Sequence, residues 1–359
     1  MKKSVYRSLL LSAILLLAGI TSLSGQEITK DFSKTFALKP SMGVVLSNRY
    51  GDVTIESWDK NEVVINVKVT VELSSVEKSE KLISLINIEF FESDSAVGAR
   101  TLLDDKFSTV TRGSGTNKFS IDYTVKMPGK ASLDISNRYG NIKMADYPGR
   151  LNVDLRYGNF TALKLTRGNE KPVNSISISY GKGTIDEANW LSVVTRYTSG
   201  LSISKVQAMT LDSRYSKAII DQAGSLVGFL KYDNLTIGEI NNLSVEAGYT
   251  PIKVEKLNKS LELTTKYGSF TATTIPAGFD DISIEAGYTG INLGIDTQAT
   301  YTLDVKTRYG SISYCEDCMD ILRRVEESNS RELTAKAGND PNSTSTVKIV
   351  SSYGAVRIK

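Results

Sequence analysis

The sequence predicts an all-β fold: a right-handed parallel β-solenoid, or β-helix, with a small α+β N-terminal cap. Three observations lead there. First, an alternating apolar strand ending in tyrosine recurs twelve times, at Tyr50, Tyr139, Tyr157, Tyr180, Tyr197, Tyr215, Tyr232, Tyr249, Tyr267, Tyr288, Tyr309 and Tyr353. Second, the period is short and nearly fixed, with steps of 18, 23, 17, 18, 17, 17, 18, 21 and 21 residues from Tyr139 to Tyr309. Third, such a unit is too short for a helix plus two strands, so strand must stack on strand. A fixed short period marks a solenoid, in which each repeat buries its apolar face only against its neighbours.

Within a unit, Leu191, Val193 and Thr195 precede Tyr197, and Leu261, Leu263 and Thr265 precede Tyr267. This period-2 alternation gives a strand one buried face. The tyrosine shares the buried parity, so its ring is expected to point inward in an internal ladder; an exposed sugar-stacking platform is the alternative. Beyond the tyrosine, apolar residues stand three and five positions on, as in Val53 and Ile55, Leu235 and Ile237, or Ile252 and Val254. Each unit is therefore strand, Tyr-Gly corner, strand and loop. Glycine at the corner (Gly51, Gly140, Gly158, Gly181, Gly268, Gly310, Gly354) suits positive φ or close backbone approach. Thr198, Ser216, Asp233, Thr250 and Thr289 replace it elsewhere.

Parallel connections within one sheet are nearly always right-handed, which sets the expected hand. One unit per turn places Tyr249 on Tyr267. The recurrence of Glu246-Ala-Gly-Tyr-Thr at Glu285 leaves a second geometry open, two units per turn with Tyr249 on Tyr288.

Four segments follow from the pattern. Residues 1–25 read as a secretory signal peptide: Lys2, Lys3 and Arg7, an apolar run from Leu9 to Ile20, then small residues. Residues 26–135 hold the first coil and the α+β cap. There Ser74-Ser75-Val76-Glu77 resembles a capping box opening a helix over 75–86, with Val76, Ile83 and Ile86 on one stripe. Strands follow at 88–92 and 120–126, separated by a glycine-rich loop at 112–116. Residues 136–314 are the Tyr-Gly solenoid. Residues 315–359 hold a C-terminal cap insert, with a helix expected over Met319–Glu327, and the last coil.

The formal charge of +3 comes from Lys2, Lys3 and Arg7 of the leader, after which 40 acidic residues are balanced. That balance argues against nucleic acid as a partner, and no segment after the leader is apolar enough to span a membrane. The chain has no histidine, which excludes His-dependent triads and His-ligated metal. No Gly-rich loop opens a helix, so no nucleotide site is expected, and no cofactor is implied. Cys315 and Cys318 form a local disulfide, a pair of thiols or, with too few ligands for it, a metal site.

Outward-facing charge is where binding or catalysis is sought. The residue before the tyrosine is basic at Arg49, Arg138, Arg156, Arg196, Arg214, Lys231, Lys266 and Arg308. Stacking would line these into a broken stripe, either a solvated charged face or a groove for an acidic glycan. The binding candidates are Arg138, Arg156, Arg196, Arg214, Lys231, Lys266 and Arg308. Asp154, Asp212, Glu246 and Glu285 lie three before the tyrosine. Glycoside hydrolysis needs two carboxylates about 5–9.5 Å apart, and coils carrying Ser177, Val194, Phe229 and Thr264 separate these acids.

The strings Asn48-Arg-Tyr-Gly-Asp-Val-Thr-Ile, Ser57-Trp-Asp-Lys-Asn-Glu-Val, Ile121-Asp-Tyr-Thr-Val-Lys-Met-Pro and Asn137-Arg-Tyr-Gly-Asn-Ile resemble an exported bacterial family, the "putative adhesin" β-solenoids of Bacteroidetes-type bacteria. The resemblance covers nearly all of the chain beyond the leader. It implies a solenoid and a place in the periplasm, at the outer-membrane surface or outside the cell, and it supplies no catalytic motif. The Cys315/Cys318 insert departs from it. The expected function is a non-enzymatic binding or adhesion module for glycans or a surface protein. A polysaccharide lyase or hydrolase on the same scaffold, or a purely structural envelope protein, is the alternative.

Overall fold

The computed structural model describes residues 27–111 and 118–359. The expected signal peptide and glycine-rich loop lie outside the described residues. The chain divides into two compact units. The larger holds residues 32–67, 88–101 and 121–359, and the smaller holds, among the described residues, 27–31, 68–87, 102–111 and 118–120.

The larger unit is a mostly parallel β ladder. Gly43–Arg49, Ser132–Arg138, Leu151–Arg156 and Asn174–Ser179 pair in that order, each parallel to the next. The ladder continues through Lys182–Arg196, Gly200–Arg214, Lys217–Lys231, Asn234–Gly248 and Pro251–Lys266. Each of these strands begins just after one tyrosine and ends just before the next. One repeat therefore pairs with the next repeat, not with the second one along.

Register carries like residues onto like. Ile176, Val193 and Leu211 are successive partners, and all are buried. On the far side of the corner Leu201, Ala218, Leu235 and Ile252 do the same. The core is thus built of columns, each continued by the neighbouring coil.

The chain order breaks at both ends. Ala96–Leu103 pairs with Gly43–Arg49 on the side away from Ser132–Arg138, and Lys118–Pro128 pairs with Val53–Trp58 on the side away from Ile142–Tyr147. Asp281–Gly287 pairs with Thr346–Ser352, and only then does Thr346–Ser352 pair with Tyr301–Arg308. Ala355–Ile358 likewise lies between Gly290–Ile295 and Ser311–Ser313. The last coil of the sequence is the penultimate coil of the ladder.

The helix expected over Met319–Glu327 is instead a strand, Met319–Glu326, antiparallel to Ser330–Ala337, which runs antiparallel to Tyr301–Arg308. A helix this short is marginal alone. Leu333, Ala335 and Ala337 alternate and are buried, and the hairpin satisfies an edge of Tyr301–Arg308 that would otherwise be open. Backbone pairing outweighs local propensity here.

In the smaller unit the expected helix is Val76–Ser84, and a second, short one is Phe107–Thr111. The cap of the first is Ser75, whose Oγ accepts the Lys78 N–H at 3.3 Å. The box expected from Ser74 and Glu77 does not form, because the helix starts one residue later and Lys78 occupies the reciprocal position. Ser79, Leu82 and Ile83 make the buried stripe while Val76 is exposed. Ser79 Oγ accepts the Leu73 N–H at 3.0 Å, and Phe107 meets Phe119 edge-on at 5.3 Å.

Candidate binding face

The tyrosines form one stacked column. In spatial order they run 50, 139, 157, 180, 197, 215, 232, 249, 267, 288, 353 and 309, with centroids 4.5–5.2 Å apart and planes within 19°. Tyr249 stacks on Tyr267 at 4.8 Å, so one unit completes one repeat of the ladder.

The column lies outside the core, contrary to the parity argument. From Tyr139 onward every ring is 41–55 % exposed. The cause is the backbone: all twelve tyrosines have φ between 52° and 65°. A left-handed residue interrupts the pleat and turns its side chain out of the alternation. Left-handed backbone costs a non-glycine residue about 1–2 kcal/mol, and a stacked aromatic pair returns about 0.5–1.5 kcal/mol. The two terms roughly offset, so the column sustains its own geometry.

The corner glycines serve the close approach and not the positive φ. A Cβ on Gly158 would lie 1.9 Å from the Gly140 carbonyl oxygen, and one on Gly181 would lie 1.8 Å from that of Gly158. Where glycine is absent, a buried polar side chain takes the neighbouring N–H. Thr198 N–H donates to Ser216 Oγ at 3.0 Å, Ser216 N–H to Asp233 Oδ1 at 2.7 Å, and Asp233 N–H to Thr250 Oγ1 at 3.2 Å. Burial pushes the Asp233 carboxyl above the usual range, although the Ser216 and Lys231 N–H groups pull it down.

The basic candidates do line up beside the column. Arg138 is the register partner of Arg49 and of Arg156. Arg196, Arg214 and Lys231 form a second run. Lys266 stands between Gly248 and Gly287, and Arg308 beside Ser352. Two are paired to acids: Arg196 to Asp212 at 2.8 Å and Arg156 to Asp154 at 3.6 Å. Among the described residues Arg138, Arg214, Lys231, Lys266 and Arg308 have no carboxylate within 4.0 Å. Lys231 lies 5.6 Å from the Tyr232 ring centroid.

The outward acids stay apart. Asp212, Phe229, Glu246, Thr264 and Glu285 are successive partners, so like acids are two strand spacings, roughly 9.6 Å, apart. Cys315 and Cys318 are joined by a disulfide, with Cα atoms 5.3 Å apart. No cluster that could hold a metal is found among the described residues, and no helix there is long and apolar enough to cross a membrane.

Phe229 is exposed on the same face, and its signal in the sequence was an aromatic at an outward position in a column that otherwise holds Ser177, Val194, Asp212, Glu246, Thr264 and Glu285. The outward tyrosines also had one. Buried positions two before and three after the tyrosine are an odd number apart, so one residue between them had to leave the pleat.

No family profile matches the chain, and no curated protein matches it. Solved structures do. One described as a "putative adhesin" from Parabacteroides distasonis is 13% identical, covers 74% of this chain and 97% of its own, with a TM-score of 0.34. A "putative adhesin" from Parabacteroides merdae is 11% identical over 74% of this chain and 96% of its own, TM-score 0.36. A "putative lipid binding protein" from Parabacteroides distasonis is 10% identical over 92% and 97%, TM-score 0.32. The solved structures similar to this chain thus include Bacteroidetes proteins described as adhesins, the group its sequence strings resemble.

Proposed function

We propose that the chain is an exported, non-enzymatic binding or adhesion module, wound as a right-handed parallel β-solenoid, whose ligand is an acidic glycan lying along the tyrosine column. Its hand follows from the rule for parallel connections, and export follows from the leader pattern. One observation carries the ligand class: the outward basic residues fall in register beside the exposed ring column, and five of the seven candidates keep their charge unpaired. Sugar stacking on ring faces is not the mode, because each interior ring has a neighbour on both faces. Ring rims and cations remain, and they suit an extended polyanion. Field focusing along such a row favours capture at low salt.

The test is retention of polygalacturonate against a neutral glucan by the folded, leaderless chain. Expected are selective retention of the polyuronate, loss of it with rising salt, and loss in the variant Arg138→Ser/Arg156→Ser/Arg214→Ser/Arg308→Ser. Equal retention of both polymers, or retention unchanged in that variant, rejects the proposal.

A further inference from the structure

The outward face of the Tyr232, Tyr249 and Tyr267 coils sets an exposed phenyl beside a gap in the basic row, a gap that recurs at Gly287 without the phenyl. Six residues form a grid there. Phe229, Glu246 and Thr264 are register partners across three strands, and Lys231, Gly248 and Lys266 are the partners two residues further along. Strand geometry gives the grid a footprint of roughly 10 Å by 7 Å. The recess over it, which extends to Asp212, Arg214, Tyr249 and Tyr267, has a volume of about 430 Å³.

Gly248 has no structural need to be glycine. Its φ is not positive, and a Cβ there would meet nothing within 4 Å. Gly248 is the last residue of its strand, Asn234–Gly248, and glycine in a sheet often marks the close approach of a ligand or another backbone. Here it removes the basic side chain that the column would otherwise carry, and so opens a notch between Lys231 and Lys266. Phe229, the only aromatic in its outward column, is 51 % exposed beside that notch. Neither lysine has a carboxylate partner within 4.0 Å among the described residues, and Glu246 is likewise absent from the ion pairs. Asp212, next to Phe229, is occupied by Arg196.

From this juxtaposition we infer that the Phe229–Gly248 notch is a subsite for a single hexuronate residue of an acidic glycan, an inference that rests on the ligand class proposed above. The chemistry matches group by group. An exposed phenyl face takes the C–H face of a pyranose, two ammonium groups bracket one carboxylate, and Glu246 and Thr264 accept and donate to ring hydroxyls. A row of cations alone would need neither the phenyl nor the gap. The size fits one six-membered ring.

Titration of the folded, leaderless chain with trigalacturonate tests it. Phe229→Ala and Gly248→Lys are each expected to weaken binding at least tenfold, Phe229→Tyr to retain it within about threefold, and the carboxyl-reduced trisaccharide to bind at least tenfold more weakly. Phe229 is exposed and Gly248 is half-buried with open space where a Cβ would stand, and unchanged melting temperatures confirm intact variants. Wild-type protein that binds no uronate overturns the glycan proposal together with the subsite. Wild-type binding that Phe229→Ala and Gly248→Lys leave unaltered overturns the subsite alone. Equal affinity for oligoglutamate, lost in the same variants, replaces the sugar with an acidic peptide and overturns the assignment.

Discussion

Tyr288 stacks on Tyr353, centroids 4.5 Å apart and planes 2° from parallel, although Tyr309 lies between them in the chain. Tyr309 takes the far face of Tyr353 at 5.0 Å. The parallel pairing of the Tyr309 coil with the ladder therefore runs through the last fourteen residues. Val347, Ile349, Val356 and Ile358 of that inserted coil are all buried, with a parallel strand on each side of both of its strands.

Ile349→Ala is accordingly expected to cost about 2–5 kcal/mol, the range for a truncated aliphatic core residue. Denaturant melts measure the loss. Hydrogen exchange locates it: amide protection should fall in both Asp281–Gly287 and Tyr301–Arg308, the two strands that flank the insertion. Protection lost on one side only contradicts the inserted position.

The ring column makes a different demand of its backbone. Alanine at position 215 loses both ring contacts and keeps the left-handed strain, whereas glycine loses the contacts and sheds the strain. Tyr215→Gly is therefore expected to be at least as stable as Tyr215→Ala, by about 0–1 kcal/mol, although glycine in a strand is ordinarily the worse of the two. Thermal melts of the pair decide it. A glycine variant clearly below the alanine one means that φ at this corner carries no strain.

Most of the ladder was legible because its cause is local and periodic. Residues such as Leu261 and Leu263 announce a buried face by alternation alone, and the 17- or 18-residue step announces parallel stacking. The direction of the tyrosine was misread because parity assumes an unbroken pleat, and one left-handed residue breaks it. The position of the Tyr353 coil was not legible at all, since nothing in residues 346–358 distinguishes a terminal winding from an inserted one. The strand at Met319–Glu326 failed for a related reason. Its partner edge on Tyr301–Arg308 is a tertiary fact, and it outweighs a weak helical preference. The basic column could be aligned from the repeat alone, but the open space at Gly248 depends on neighbouring strands.

Glycine at the corners sets how closely neighbouring coils approach. Gly158→Ala places a methyl 1.9 Å from a backbone oxygen of the adjoining coil, which cannot yield like a flexible side chain. A loss of about 1–3 kcal/mol or more is expected, by analogy with overpacked cores. Gly168→Ala is the control, since a Cβ there meets nothing within 4 Å, and its melting temperature should be unchanged. Equal effects at the two sites would mean that the coils can separate freely.

Alkaline unfolding reports the tyrosines that are inside. Burial pushes the Tyr123 phenol up to about 12, against a partial opposing pull from its hydrogen bond with Thr101 at 2.9 Å. Tyr301 is also pushed up to about 12 by burial. The folded chain then keeps these protons between pH 10 and 12, while the unfolded chain releases them near 10. Their contribution is complete below pH 10 and is lost as the pH rises through that window. A rise from 10 to about 12 corresponds to roughly 3 kcal/mol per group. Tyr123→Phe is therefore expected to lose about 0.5–1.5 kcal/mol at pH 7, where a hydrogen bond disappears, yet to show a shallower fall in stability from pH 10 to 12 than the wild type. Urea melts at pH 7, 10 and 11.5 measure both effects. Parallel stability curves for the two proteins above pH 10 would show that the Tyr123 phenol ionises as freely in the folded chain as in the unfolded one.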